Sequence, residues 1–203
     1  MEQPLNSSKS KLFIIIAALT VFAAIFYWVT ASKAGWLDDP VRQLFYSWRN
    51  ESLTPFVKII TYMGNWQFIG VLCLALLIIK PTRVTYGIPV SIGAALVTLI
   101  NKVIKHMVAR PRPEDILHLI DEGGFSFTSG HSIISMFVYG MLIYLVRRNV
   151  ENRKLANVLI LLLALPMIFI GLSRIYLGVH YPTDVLGGWC LGIAAIVVGS
   201  AKV

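Results

Sequence analysis

Six long apolar runs, parted by short polar clusters, constrain this chain more than any other feature. They extend roughly from Leu12 to Val29, Trp66 to Ile79, Gly87 to Val108, His131 to Val146, Leu155 to Arg174 and Pro182 to Ala201. About 20 apolar residues in a helix are needed to cross the hydrocarbon core, and within lipid a helix satisfies its own backbone donors and acceptors. The runs at Trp66 and His131 are short by that measure. They are expected to extend into polar flanks or to cross where the bilayer is locally thin. Apolar residues form 57% of the 203 and charged residues 14%, an excess that a water-soluble core cannot hide. The expected fold is all-α, an integral membrane bundle of six transmembrane helices. It forms a single domain over residues 1–203, with no linker or internal repeat to divide it.

Lys9 and Lys11 precede the first run, and Ser32-Lys33-Ala34 after it faintly resembles a cleavage site. That run is longer than a signal core and ends in Tyr27 and Trp28, an interfacial belt, so the helix is expected to be retained. Lysines and arginines divide evenly between the two membrane sides. Setting aside Lys105, Arg112 and Arg174, which belong to polar clusters, and Lys58 and Lys102, within or beside helices, places both termini in the cytoplasm. The polar clusters then face the outside of the cell membrane, and the loop that contains Ser126 is expected to be accessible there. The net charge of +8 sits in short groups at the ends of apolar runs. Loop topology and anionic lipid headgroups produce that distribution, and nucleic-acid binding is not implied. Cys73 and Cys190 lie inside apolar runs without metal-ligand spacing, and read as small buried hydrophobes.

The segment from Trp36 to Gly64 is too polar and interrupted to cross. Asp39-Pro40 and Thr54-Pro55 each read as an N-cap followed by proline at the first helical position, giving two short interfacial helices in the first outer loop. Val41, Leu44, Phe45 and Trp48 fall at helical spacing, which suits a helix in the headgroup layer. The segment is either a plain connector or a lid that guides substrate.

Three polar clusters share one membrane side: Lys105 with Arg112-Pro113, then Thr128-Ser129-Gly130-His131, then Ser173-Arg174 with His180 and Asp184. Intramembrane charge marks function by default, although a lone basic residue at a helix end commonly only snorkels to the interface. Together the clusters hold what phosphoryl transfer requires: fixed cations for the phosphoryl oxygens, N–H groups at a helix start, a nucleophile and an acid. Arg110-Pro111 is as good an Arg-Pro pair as Arg112-Pro113 on composition alone. Asp184, four residues after His180, can fix the tautomer of the imidazole and leave its other nitrogen to attack phosphorus. Acidic ligands are scarce near the histidines and cations surround them, so no metal site is expected. No cofactor is expected either.

The clusters resemble the tripartite signature of the type 2 phosphatidic acid phosphatase superfamily, the lipid phosphate phosphatases. Lysine, six residues, Arg-Pro matches Lys105 to Arg112-Pro113 and sets the register against Arg110. Pro-Ser-Gly-His matches Thr128-Ser129-Gly130-His131, with threonine in place of proline. Ser-Arg, five residues, histidine, three residues, aspartate matches Ser173, Arg174, His180 and Asp184. The resemblance implies a phosphate pocket of Lys105, Arg112, Ser129, Gly130 and Arg174. His180 would be the nucleophile, oriented by Asp184, and His131 the acid that protonates the leaving oxygen; the residues alone do not decide which histidine attacks.

Among compact bacterial members the chain is most similar to phosphatidylglycerophosphate phosphatases of the B type. This implies hydrolysis of phosphatidylglycerol phosphate to phosphatidylglycerol and inorganic phosphate through a phosphohistidine. Undecaprenyl pyrophosphate, phosphatidic acid and diacylglycerol pyrophosphate are the alternative substrates, because the motifs hold only the phosphoryl group. The partners implied are a phospholipid or isoprenoid lipid phosphate and the bilayer, with no obligate protein partner. A vanadate-dependent haloperoxidase has a similar pocket but is soluble. A transporter would place its polar groups at broken helices near mid-membrane rather than at one face.

Overall fold

The computed structural model describes residues 8–201. Its regular secondary structure is helical, with α1 (Ser8–Thr30), α2 (Gly35–Ser47), α3 (Leu53–Tyr62), α4 (Trp66–Ile78), a single turn α5 (Lys80–Thr82), α6 (Ile88–Val108), α7 (Gly130–Asn149), α8 (Arg153–Tyr176) and α9 (Pro182–Ser200) among the described residues. A π-helical turn over Arg83–Gly87 joins α5 to α6, and a 3₁₀ turn, Asp115–Leu117, lies in the α6–α7 loop.

Among the described residues five helical segments are long and apolar enough to cross a membrane: α1, the continuous stretch Lys80–Val108, α7, α8 and α9. A sixth crossing exists only as α3 and α4 together, bent by 48°. The short apolar run at Trp66 is thus completed by the polar and aromatic flank that precedes it. Gly64 occupies the bend, where a Cβ would come within 2.6 Å of Ile170 Cγ2 and 3.0 Å of His131 Cδ2. Only glycine lets the bend approach α7 and α8 so closely.

The centre of the bundle is α7, with thirteen of its twenty residues buried against α6, α8 and α9. Lipid tails are as apolar as leucine, so helices associate in a bilayer through close packing rather than through exclusion of water. Small residues provide that closeness here. A Cβ on Gly93 of α6 would lie 1.9 Å from Phe137 Cζ, and one on Gly192 of α9 would lie 2.6 Å from Met136 Cβ. By contrast α1 buries only Ala18, Ile25 and Val29, and it turns Leu12, Phe13 and Val21 outward, as a peripheral lipid-facing helix does.

Two short helices form where expected, but α3 joins α4 in the bent crossing rather than lying apart from it, and neither helix starts where expected. The α2 helix begins at Gly35, so Pro40 lies inside it, and Asp39 is exposed with its carboxylate 3.6 Å from Arg42. Its neighbour Asp38 is buried instead. The α3 helix begins at Leu53, whose N–H is taken by Asn50 Oδ1 at 2.8 Å, while Thr54 Oγ1 donates to the Asn50 carbonyl. Proline marks a permitted first-turn position rather than the helix start, and both helices begin upstream of it. Both helices pack on α8, and α2 also packs on α9.

Candidate active site

The site forms where α6 ends and α7, α8 and α9 meet. Lys105 occupies the last turn of α6, and Ala109, left-handed at φ 47°, ends the helix and turns the chain into the loop that carries Arg112. Arg112 Nη1 donates to the Val179 carbonyl at 2.7 Å and to His180 Nε2 at 3.0 Å, while Nη2 reaches the Gly123 carbonyl at 2.8 Å. A guanidinium offers donors only, so His180 Nε2 bears the lone pair, and Nδ1 carries the proton toward Asp184 Oδ2 at 3.2 Å. The i, i+4 spacing therefore does what the sequence suggests: one imidazole nitrogen is fixed and the other faces a cation.

Asp184 is fully buried and fully used. Its Oδ2 also accepts from the Tyr181 backbone N–H at 2.9 Å and from Ser126 Oγ, and its Oδ1 accepts from Arg110 Nη1 at 2.7 Å. The tight loop before His180 turns at Gly178, φ +81°, where a Cβ would sit 2.2 Å from the Leu117 carbonyl. A larger residue would push apart the two strands of loop that bring Arg112 to His180.

Arg174, 1% exposed, donates from Nη1 to Thr61 Oγ1 at 2.9 Å and from Nη2 to Glu122. Its Nε has no hydrogen-bond partner among the described residues. The other oxygen of Glu122 is 3.5 Å from Arg112 Nη2, so this carboxylate bridges two of the three expected cations. Lys105 Nζ donates to the Phe125 carbonyl. A cavity of about 720 Å³, lined by Lys58, Asp115, His118, Leu119, Ile120, Asp121 and Glu122, opens beside the bridge.

Ser129 is the N-cap of α7, its Oγ accepting from the Ser132 N–H at 3.3 Å and the Ser132 hydroxyl at 2.8 Å. Its own N–H goes to the Asp184 carbonyl at 3.1 Å, which ties the second cluster to the third. A Cβ on Gly130 would lie 3.2 Å from Asn101 Nδ2. Thr128, standing where the family pattern has proline, donates its hydroxyl to Asn101 Oδ1 at 2.7 Å, so the replacement adds an anchor for the turn. His131, in the first turn of α7, has Nε2 2.5 Å from Asn65 Oδ1 at the start of α4.

Burial, followed by the charges of Arg112, Lys105, Arg174 and Arg110, holds the His180 imidazole well below its ordinary value of 6.5. A neutral imidazole, whose lone pair is unprotonated, is the form that can attack. Burial also lowers Arg112, against Glu122 and Asp184, which raise it; a guanidinium stays charged throughout the working range. Burial opposes the charge on Arg110 as well, but Asp184 and Asp38 outweigh it and raise its value.

All eight residues singled out in the sequence thus gather at one end of the bundle. Several others were missed. Ser126, expected on an accessible loop, is wholly buried with its hydroxyl on Asp184. Arg110, set aside by register, grips Asp184 and Asp38. Glu122, Thr61, Asn65 and Asp38 carry no local pattern that sets them apart; only the repeated Arg-Pro pair hinted at Arg110. Among the described residues, no three His, Cys, Asp or Glu side chains are grouped to hold a metal ion.

The PAP2 superfamily model matches residues 86–202, which contain all eight residues. Phosphatidylglycerophosphatase B of Bacillus subtilis is 39% identical over 99 residues, 47% of this chain and 47% of that protein. An undecaprenyl-diphosphatase of Sulfolobus acidocaldarius is 30% identical over 122 residues, 58% of this chain and 54% of that protein. The matches thus span about half the length of these curated relatives. The crystal structure of a transmembrane PAP2 type phosphatidylglycerolphosphate phosphatase from Bacillus subtilis is similar with a TM-score of 0.82 and 25% identity, covering 94% of this chain and 96% of that one. Aquifex aeolicus LpxE is similar with a TM-score of 0.66 and 25% identity, over 81% of this chain and 95% of that one. A multi-pass helical bundle, three polar clusters joined at one end of it, and a family model that covers more than half of its length establish this chain as a member of the PAP2 superfamily.

Proposed function

We propose that the protein is a membrane lipid phosphate phosphatase that hydrolyses phosphatidylglycerol phosphate to phosphatidylglycerol and inorganic phosphate. The observation that carries this reading is His180, neutral, with Nδ1 on Asp184 and Nε2 turned toward Arg112. The phosphoryl oxygens are held by Lys105, Arg112 and Arg174 with the Ser129-Gly130 turn, in the space that Glu122 now bridges. The unpartnered Nε of Arg174 is a donor waiting for such an oxygen.

His180 Nε2 attacks phosphorus, the bond from phosphorus to the lipid oxygen breaks, and His131 gives that oxygen its proton. The phosphohistidine is then attacked by a water whose proton His131 takes. The P–N bond breaks, inorganic phosphate leaves, and both histidines return to their starting forms. Asn65 aligns His131 for this exchange, as Asp184 aligns His180. The three cations balance the phosphoryl charge, so turnover requires no divalent metal.

A diacyl substrate leaves the bilayer only at about 0.8 kcal/mol for each exposed CH₂, so the headgroup reaches a pocket at membrane depth. We place both termini in the cytoplasm and the site at the outer face. A cysteine at Ile116, 88% exposed, labelled in intact cells by a membrane-impermeant reagent, with protection at Glu151, tests this; the opposite pattern inverts the topology.

Release of inorganic phosphate from a panel of lipid phosphates, with His180→Ala as control, tests the activity. Phosphatidylglycerol phosphate should turn over fastest. Preference for undecaprenyl pyrophosphate would support the alternative reading, which the Sulfolobus relative favours. No phosphate release from any member would sink both.

A further inference from the structure

Arg110 and Asp38 have no part in the steps above, yet they are joined to them. One face of the Arg110 guanidinium covers the Tyr181 ring, 3.8 Å from its centroid. Its two ends reach two carboxylates, Asp184 Oδ1 at 2.7 Å and Asp38 Oδ2 at 2.6 Å. Asp38, 1% exposed, also accepts from the Thr183 backbone N–H at 2.9 Å and from the Thr183 hydroxyl at 2.9 Å, and that hydroxyl takes a bond from Arg110 Nη1 at 2.8 Å. A residue of α2 is thereby locked to the first turn of α9, next to the carboxylate that orients His180.

The charges in this arrangement matter as much as the geometry. When His180 Nε2 bonds to phosphorus the imidazole becomes cationic, and an anionic carboxylate at Nδ1 stabilises it. A guanidinium paired with Asp184 alone would cancel that anion. Sharing the guanidinium with a second buried carboxylate leaves one net negative charge facing His180, while Arg110 still fixes the rotation of Asp184.

We propose that Asp38 is a positioning residue of the reaction, acting through Arg110 to keep Asp184 oriented while one net negative charge remains beside His180. The inference rests on His180 as the nucleophile. It predicts a property that an ion pair serving only to join α2 to α9 lacks, namely an effect on the rate of chemistry in correctly assembled sites.

The test uses the full chain purified in detergent, with p-nitrophenyl phosphate and a lipid phosphate as substrates and bound vanadate as the count of assembled pockets. Asp38→Asn should lower kcat per pocket ~10-fold with little change in KM. Arg110→Gln should lower it ~10²-fold, because two buried carboxylates then face each other. The double substitution should recover to about the level of Asp38→Asn, and in an Asp184→Asn background Asp38→Asn should cost nothing more. Fewer vanadate sites with unchanged kcat per pocket, or losses that simply multiply with Asp184→Asn, would overturn the inference. If Asp38→Asn does not fold, Arg110→Lys is read the same way, since an ammonium keeps the charge but cannot bridge two carboxylates. A lowered kcat per pocket supports the role and an unchanged one ends it. A wild-type protein that traps no phosphohistidine removes the nucleophile assignment, and this inference with it.

Discussion

The two halves of the chain contribute different things to one site. Residues 86–202, matched by the family model, supply every group assigned to the chemistry, from Lys105 to Asp184. Residues 8–85 supply none of these, yet they touch the site repeatedly: Asn65 on His131, Thr61 on Arg174, Asp38 on Arg110 and Thr183, and Arg49 Nε on the Tyr176 carbonyl at 2.8 Å. The C-terminal half holds the groups proposed to react, and side chains of the N-terminal half are hydrogen-bonded to them or to their neighbours. Asn65, Thr61 and Asp38, neutral or anionic, fix an imidazole or a cation without competing for a phosphate, whereas Arg49 ties a backbone carbonyl.

That division ranks the expected effects of substitution. The largest belongs to His180→Ala, which should abolish hydrolysis of both lipid phosphates and an activated aryl phosphate, together with the acid-labile, base-stable phosphate trapped on the wild-type protein. His131→Ala should lose lipid turnover but retain more of the aryl phosphate reaction, whose leaving group needs less protonation. Asp184→Asn should fall between them. Label that survives in His180→Ala and disappears in His131→Ala would exchange the two roles.

Next come the cations. Substituting Lys105, Arg112 or Arg174 by alanine should each lower kcat about 10²-fold, the scale for losing one charge-stabilising donor. Three silent substitutions would mean that the phosphate is held elsewhere. Smaller losses, about 10-fold in kcat, should follow Asn65→Ala and Thr61→Val, because each acts through another residue. Asn65→Ala should spare the aryl phosphate relative to the lipid, since it disturbs the acid and not the nucleophile. A loss as large as that of His131→Ala would erase the distinction between the halves.

Packing should separate cleanly from chemistry. Gly93→Ala drives a methyl group into Phe137 and should cost about 1–3 kcal/mol of stability, read as a lower unfolding temperature in detergent, with kcat per folded molecule retained. The smallest expected effect is that of a chelator, which should leave turnover unchanged. A strong loss that added divalent metal reverses would show that the three cations do not suffice.

Several features were legible because they are local. Lys105 and Arg112 bracket a helix end, and the His180–Asp184 pair spans one turn, so spacing along the chain is already spacing in space. The six apolar runs were legible for the same reason, since length and hydropathy are properties of a segment. The second crossing is less legible: its apolar count describes α4, whereas α3 and the bend at Gly64 join it. Helix starts at Asp39 and Thr54 followed proline and missed the burial of Asp38, because nothing in the Asp38-Asp39 pair says which carboxylate meets Arg110. Ser126 looked like a loop residue, and it is one, but its loop folds inward and covers Asp184.

The sequence by itself determined that the chain lives in a bilayer, which groups could move a phosphoryl unit, and in what order along the chain they stand. Tertiary structure alone decided their partners. Asn65 meets His131 across 66 residues, and Arg110 meets Asp38 and Asp184 across 72 and 74. Backbone geometry sets what residues three or four apart can touch, whatever the rest of the chain does. Partners that distant are chosen by how helices pack, through contacts such as Gly93 on Phe137 and Gly192 on Met136, and an apolar pattern alone is compatible with many such packings.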